Sequence, residues 1–232
     1  MRRIQCESCP VRESGALCDL PPEAREDFRA IGQLRLYKPR QVIFGEGNPS
    51  DGLYLVCHGD VKLYHSDRFG RDHILEVAGA GAVLGEFRSA GCETMSVSAE
   101  ALTEVQASFL PHEAIAAFVQ KYPASAVRLI EALSRELAAA RRKARDLALK
   151  SGESRLATLV LQLCRGTNGG KETAVALPYR RQELAEMIGV STETAIRLLS
   201  KLKAKGAIET DRRTLRIADL DRLTRIAQQD EV

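Results

Sequence analysis

The chain has 232 residues, of which 44% are apolar, 28% charged and 5% aromatic, with no Trp. That composition belongs to a folded globular protein and excludes a disordered, collagen-like or disulfide-scaffold chain. Lys and Arg number 34 against 31 Asp and Glu, a formal net charge of +3, so only local clustering of basic side chains can mark a phosphate-binding surface. No stretch approaches the roughly 18 apolar residues of a membrane span, and the N-terminal Met1-Arg-Arg-Ile-Gln-Cys6 lacks the apolar core of a secretory signal. The expectation is a cytoplasmic protein with no membrane partner.

The N-terminal segment is rich in thiols: Cys6, Cys9 and Cys18 are three of the six cysteines. In a reducing compartment such a cluster points to metal or redox chemistry rather than structural disulfides. A C-x2-C step lets one short loop present two sulfurs, and both iron-sulfur clusters and zinc want soft donors of this kind.

Residues 34–110 read as strands. Runs beginning at Leu34, Gln41, Gly52, Asp60, His73, Ala82 and Thr103 are short and rich in branched or aromatic side chains. They are bounded by turn chemistry such as Asn48-Pro-Ser-Asp-Gly52, Arg68-Phe-Gly70 and Gly79-Ala-Gly81. Several strands at this spacing predict an antiparallel sandwich or barrel.

From His112 the pattern becomes helical, is interrupted at Pro123 and runs on to Lys150. Ile130, Leu133, Leu137, Ala140, Ala144 and Leu147 recur at alternating steps of three and four, the seam by which a coiled coil pairs with its own copy. A homodimer is therefore expected. Lys150-Ser-Gly-Glu-Ser154 then breaks the helix. The predicted organisation is a cysteine segment and β domain over 1–110, a dimerisation helix over 111–150 and a small, mostly helical domain over 151–232.

The most informative stretch is Arg180 to Gly206. A short helix with Leu184, Ala185 and Ile188 inward reaches Gly189, suited to the positive φ of a tight turn, and Ser191 caps a second helix. With Ala195, Leu198, Leu199 and Leu202 buried, Thr192, Glu193, Ile196 and Arg197 point outward from its first turns. That is where a recognition helix meets base edges in the major groove. Arg pairs bidentately with guanine and Glu accepts from cytosine. Arg180, Arg181, Lys201, Lys203 and Lys205 are candidates for phosphate contacts, and Arg212 and Arg213 lie at the tip of a two-stranded wing. The plain alternative is a helical hairpin with a surface Glu193–Arg197 pair.

Taken together, these features resemble the CRP/FNR superfamily of bacterial transcription regulators. The resemblance rests on the glycine-punctuated strands, with Gly45-Glu46-Gly47 and Val83-Leu-Gly-Glu-Phe87, on the long central helix and on Val190-Ser-Thr-Glu-Thr-Ala-Ile-Arg197-Leu-Leu. It implies an α+β fold: an N-terminal antiparallel β-roll of the cyclic-nucleotide-binding type, a dimerisation helix and a C-terminal winged helix-turn-helix. It implies a double-stranded DNA palindrome whose half-sites have a T-G-A core, RNA polymerase as a further partner, and no enzymatic activity. No P-loop, Gly-x-Ser-x-Gly, His-Glu-x-x-His or dinucleotide fingerprint argues otherwise.

Cyclic-nucleotide members follow Gly-Glu with Arg-Ser-Ala several residues on. Here Gly85-Glu86 is followed by Glu93 near that arginine's place, and a carboxylate cannot replace a guanidinium facing a phosphodiester. The cysteines resemble those of the oxygen-sensing FNR-like branch. Two departures are that eight residues separate Cys9 from Cys18, and that Ser108 falls where the branch has its fourth cysteine. Cys92 is the replacement thiol for an iron-sulfur cluster held by Cys6, Cys9 and Cys18; Cys57 or a carboxylate are other candidates. Cys57 and Cys164 read as core residues. Zinc, thiol oxidation, haem, a cyclic nucleotide, purely structural cysteines and a β-roll acting only through a protein partner stay open as alternatives. The scattered His58, His65, His73 and His112 give haem little support.

Overall fold

The computed structural model describes residues 15, 17–88, 93–166, 174–176, 179–211 and 214–229. The chain divides into two compact units: one runs up to Arg71 and from Leu75 to Leu137, the other comprises Asp72–Ile74 and the chain from Ala138 onward.

The first unit begins with α1 (Pro22–Ile31) and continues through β1 (Gln33–Tyr37), β2 (Val42–Phe44), β3 (Gly52–His58) and β4 (Val61–Ser66). After β5 (Asp72–Ala78), whose first three residues group with the second unit, come β6 (Val83–Leu84), β7 (Ser98–Ala101) and β8 (Val105–Pro111), then α2 (His112–Lys121). The strands form two four-stranded sheets, ordered β1-β8-β3-β6 and β2-β7-β4-β5. Phe44, Tyr54, Val56, Val61, Ala99 and Ala107 meet in the core they share. Strand β3 is covered on both faces. Its Tyr54 and Val56 join that core, while Leu55 turns to a second cluster with Leu17, Leu20, Phe28, Leu110 and Phe118, which seats α1 and α2.

Each of the seven predicted strand runs coincides with an observed strand. The eighth, β7, has the sequence Ser-Ala-Glu-Ala, weak strand formers by composition. It nevertheless lies between β2 and β4, antiparallel to both, and Ala99 and Ala101 are fully buried. Helix α1 also went unread in the sequence. Pro22 opens it, where a missing N–H costs nothing, and Ala24 and Phe28, one turn apart, are its buried face.

Helix α3 (Pro123–Leu149) has 27 residues, of which only Ser125 is buried. Among the described residues no helix is long and apolar enough to cross a membrane.

The second unit holds α4 (Gly152–Gly166), β9 (Ala174–Ala176), α5 (Arg181–Ile188), α6 (Thr192–Ala204), β10 (Ile208–Thr210), β11 (Thr214–Ile217) and α7 (Leu220–Ala227). Its sheet is antiparallel in the order β10-β11-β9. Leu156, Leu184, Leu202, Ile208, Leu215 and Leu223 are almost wholly buried. Helix α7 was not foreseen. Asp219 caps it, accepting from the Arg222 N–H at 2.9 Å. Cys164 is buried as expected, and that burial pushes its thiol pKa up.

Candidate nucleic-acid interface and sensor residues

Two local devices build the helix-turn-helix. Gly189 ends α5 at φ +67°, a conformation that strains any side chain-bearing residue, and Val190 N–H returns to Ala185 O at 3.0 Å. Ser191 then starts α6, its hydroxyl accepting from Thr194 N–H at 3.2 Å. Ala195, Leu199 and Leu202 form the buried stripe of α6. Leu198, expected with them, is half-buried and packs near Gly152, where an added Cβ would meet its Cδ1 at 3.1 Å.

This geometry turns Thr192, Glu193 and Arg197 outward, and Ile196 is 48% exposed despite its apolar chain. Among the described residues Glu193 and Arg197 make no ion pair with each other. Arg197 instead donates to Thr194 Oγ1 at 3.3 Å, so both side chains are presented to solvent one turn apart. Thr194, which the sequence reading passed over, thus joins the Ser191 cap to the Arg197 guanidinium.

The basic residues around α6 differ in their surroundings. Arg180 is exposed, and its backbone N–H donates to Glu183 Oε2 at 2.6 Å. Arg181 is half-buried, with Nη1 enclosed and lacking an acceptor among the described residues. Lys201 and Lys205 both reach Glu153 on α4, at 2.6 and 2.5 Å. Glu153 also escaped notice in the sequence; its only signal was an acidic residue in the first turn of a helix. Arg155, two residues further on, donates to Ile188 O at 2.9 Å and Lys150 O at 2.9 Å, tying α4 to the end of α5. Arg212 and Arg213 lie outside the described residues.

In the β unit, Gly85 turns at φ +101° and the next residue, Glu86, accepts through Oε1 from Ser96 N–H at 3.3 Å and Ser96 Oγ at 2.5 Å. Glu86 Oε2 is buried without a partner among the described residues. The only basic residue between Glu86 and Val97 is Arg88, and it is engaged with Asp51 Oδ1 at 2.8 Å and Ser50 O at 3.1 Å. Ser50 is held in turn by buried His112, whose Nε2 lies 2.9 Å from Ser50 O. Glu136 on α3 has its carboxyl pKa raised, first by burial and then by the nearby Glu86 charge.

Cys18 is half-buried between Leu17 and Leu20, both core residues, and its N–H donates to Gly15 O at 3.1 Å. A Cβ on Gly15 would come within 2.5 Å of Cys18 Sγ. Ser108 is fully buried on β8, beside Gly32, and supplies no thiol. Cys6, Cys9 and Cys92 lie outside the described residues, within which no three His, Cys, Asp or Glu side chains converge as a metal site.

Paired sheets of this order followed by a long helix and a winged helix-turn-helix define a DNA-binding transcription regulator carrying a β domain of the cyclic-nucleotide-binding type. Family models agree: a Crp-like helix-turn-helix domain matches residues 154–226 and a cyclic nucleotide-binding domain matches residues 34–122. The chain belongs to the CRP/FNR superfamily. It is 29% identical over 189 residues to the CRP-like cAMP-activated global transcriptional regulator of Mycobacterium tuberculosis, covering 81% of this chain and 84% of that one. To the transcriptional activator protein FnrL of Cereibacter sphaeroides it is 25% identical, covering 97% and 93%. The structure of FixK2 from Bradyrhizobium japonicum has the same fold, with a TM-score of 0.77 at 23% identity over 86% of this chain and 98% of that one. The two curated relatives are named as transcription regulators, not enzymes.

Proposed function

We propose that the protein is a cytoplasmic homodimer that reads a palindromic duplex through Glu193 and Arg197 and answers to oxygen or redox state through its N-terminal cysteines. The outward, mutually unpaired Glu193 and Arg197, one turn apart at the start of a capped helix, carry the reading of sequence. Two such helices must lie one DNA turn apart, roughly 34 Å, to engage both half-sites, which calls for a dimer. The seam of α3 supports one: Ile130 and Leu133 are each 62% exposed and Leu137 51%, with Ala140, Ala144 and Leu147 also uncovered. RNA polymerase is the partner that such a regulator would address once bound.

The sensor reading follows from the donor set. Cys6, Cys9, Cys18 and Cys92 would hold an iron-sulfur cluster, Ser108 having no thiolate to give. Such a cluster, when bound, supplies lability toward oxygen that zinc lacks. The part played by this chain is to anchor the cysteine segment: Leu17 and Leu20, on either side of Cys18, are buried in the α1/α2 core. The sole cation between Glu86 and Val97, Arg88, is already committed to Asp51 and Ser50, which weighs against a cyclic phosphodiester.

Two measurements test this. Titration of palindromic and scrambled duplexes should show Arg197→Ala losing about 1–3 kcal/mol on the palindrome and far less on scrambled DNA; equal losses on both refute base readout. Protein purified without oxygen should be brown, contain iron and sulfide, and lose colour and palindrome binding in air. Cys9→Ser should remove both properties. Colourless anaerobic protein ends the cluster reading and leaves the DNA reading standing.

A further inference from the structure

The α6 stripe Glu193, Arg197, Lys201, Lys205 advances in steps of four residues. At 3.6 residues per turn each step drifts by about 40° around the helix. Arg197 faces outward, Lys201 sits at the edge of that face, and Lys205 has rotated further toward α4. There, both ammonium groups meet one carboxylate: Lys201 Nζ lies 2.6 Å from Glu153 Oε2, and Lys205 Nζ 2.5 Å from Glu153 Oε1. The carboxylate is the fixed partner, its side chain 12% exposed against 57% and 41% for the two lysines. Burial disfavours ionised Glu153, but the hydrogen bonds and charges of the two lysines outweigh it and hold its carboxyl below the ordinary range.

We propose that Glu153 competes with DNA phosphates for Lys201 and Lys205, and so sets how tightly the protein grips any duplex, whatever its sequence. A lysine whose charge is already matched by a carboxylate displaces no counterion from the DNA until it leaves that carboxylate and takes a phosphate. These two ammonium groups, which follow Glu193 and Arg197 at four-residue steps, are therefore held in check by a residue of the neighbouring helix. Phosphate contacts carry no base information, so the effect falls equally on cognate and random DNA. The inference rests on α6 facing DNA. The Arg197→Ala titration tests that placement by palindrome-versus-scrambled discrimination, a readout independent of the salt slope used here.

The test is a double-mutant cycle between Glu153→Gln and Lys201→Ala in the full chain, with palindromic and scrambled duplexes titrated across a range of salt concentrations. Glu153→Gln should tighten both duplexes by the same factor, about three- to ten-fold at low salt, and steepen the salt slope by roughly 0.9 for each lysine released. Lys201→Ala should weaken binding several-fold more in the Glu153→Gln background than in the unmodified chain. Glu153→Asp, which keeps the charge, should stay within about two-fold of the unmodified protein. Glu153→Ala provides a second neutral variant should the glutamine form fold poorly. An unchanged slope in the neutral variants, a loss confined to the palindrome, or an equal effect of Lys201→Ala in both backgrounds overturns the proposal.

Discussion

Helices α3 and α6 carry the same kind of amphipathic stripe and meet opposite fates. In α6, Ala195 and Leu202 are wholly buried and Leu199 is 4% exposed, so its apolar face is consumed by its own unit and its polar face is left exposed. In α3, Ile130, Leu133 and Leu137 remain more than half exposed, although their spacing is as regular. A periodic apolar stripe states that something will cover it. Whether that cover comes from the same chain or another copy depends on what the rest of the fold brings alongside. Around α6 the fold brings α4 and α5; along most of the α3 seam no described residue buries it.

The contrast is sharpest where a charge is placed in each stripe. Leu133→Asp or Leu137→Asp should yield monomers in sedimentation and abolish palindrome binding, while the β unit keeps its circular dichroism, because in the proposed dimer the charge enters a surface buried only between copies. Intact dimers for both variants would break the comparison at once. A smaller effect of a different kind is expected in α6. Leu202→Ala should cost about 2–5 kcal/mol in the unfolding of the C-terminal unit, through the cavity it opens, and should leave dimerisation untouched in sedimentation. The smallest effect concerns local structure rather than burial. Ser191→Ala removes the cap that starts α6 and should lower stability by about 1 kcal/mol in denaturant titration, with weaker palindrome binding and no change in oligomeric state. A cap variant that dissociated the dimer would show that the two helices are not energetically separate.

Sequence legibility followed how local each determinant is. The turn at Gly189, the cap at Ser191 and the outward placement of Glu193 and Arg197 depend on neighbours within a helical turn or two, and each was readable in advance. So were the strands rich in Val, Leu, Ile and Tyr, whose side chains themselves favour a half-buried pleated surface. Strand β7 was not, because nothing in Ser98-Ala-Glu-Ala announces a strand. Its conformation is set by β2 and β4 on its flanks, and its alanines by the tight core they face.

The candidate site divides along the same line. Which residues of α6 face outward is fixed by helical periodicity, a property of the local chain. The fate of Lys201 and Lys205 is not, since Glu153 lies about fifty positions earlier and becomes their partner only when α4 packs against α6. Likewise the sequence shows that Arg88 follows Glu86 closely, but only the folded β domain commits that guanidinium to Asp51 and the Ser50 carbonyl. By itself the sequence determined the elements, the turn and the outward faces, because these follow from backbone preferences and side-chain spacing over a few residues. Tertiary structure decided the pairing of charges, the alanine strand at the centre of its sheet and the stripe left uncovered on α3, because each depends on which distant segments packing brings into contact.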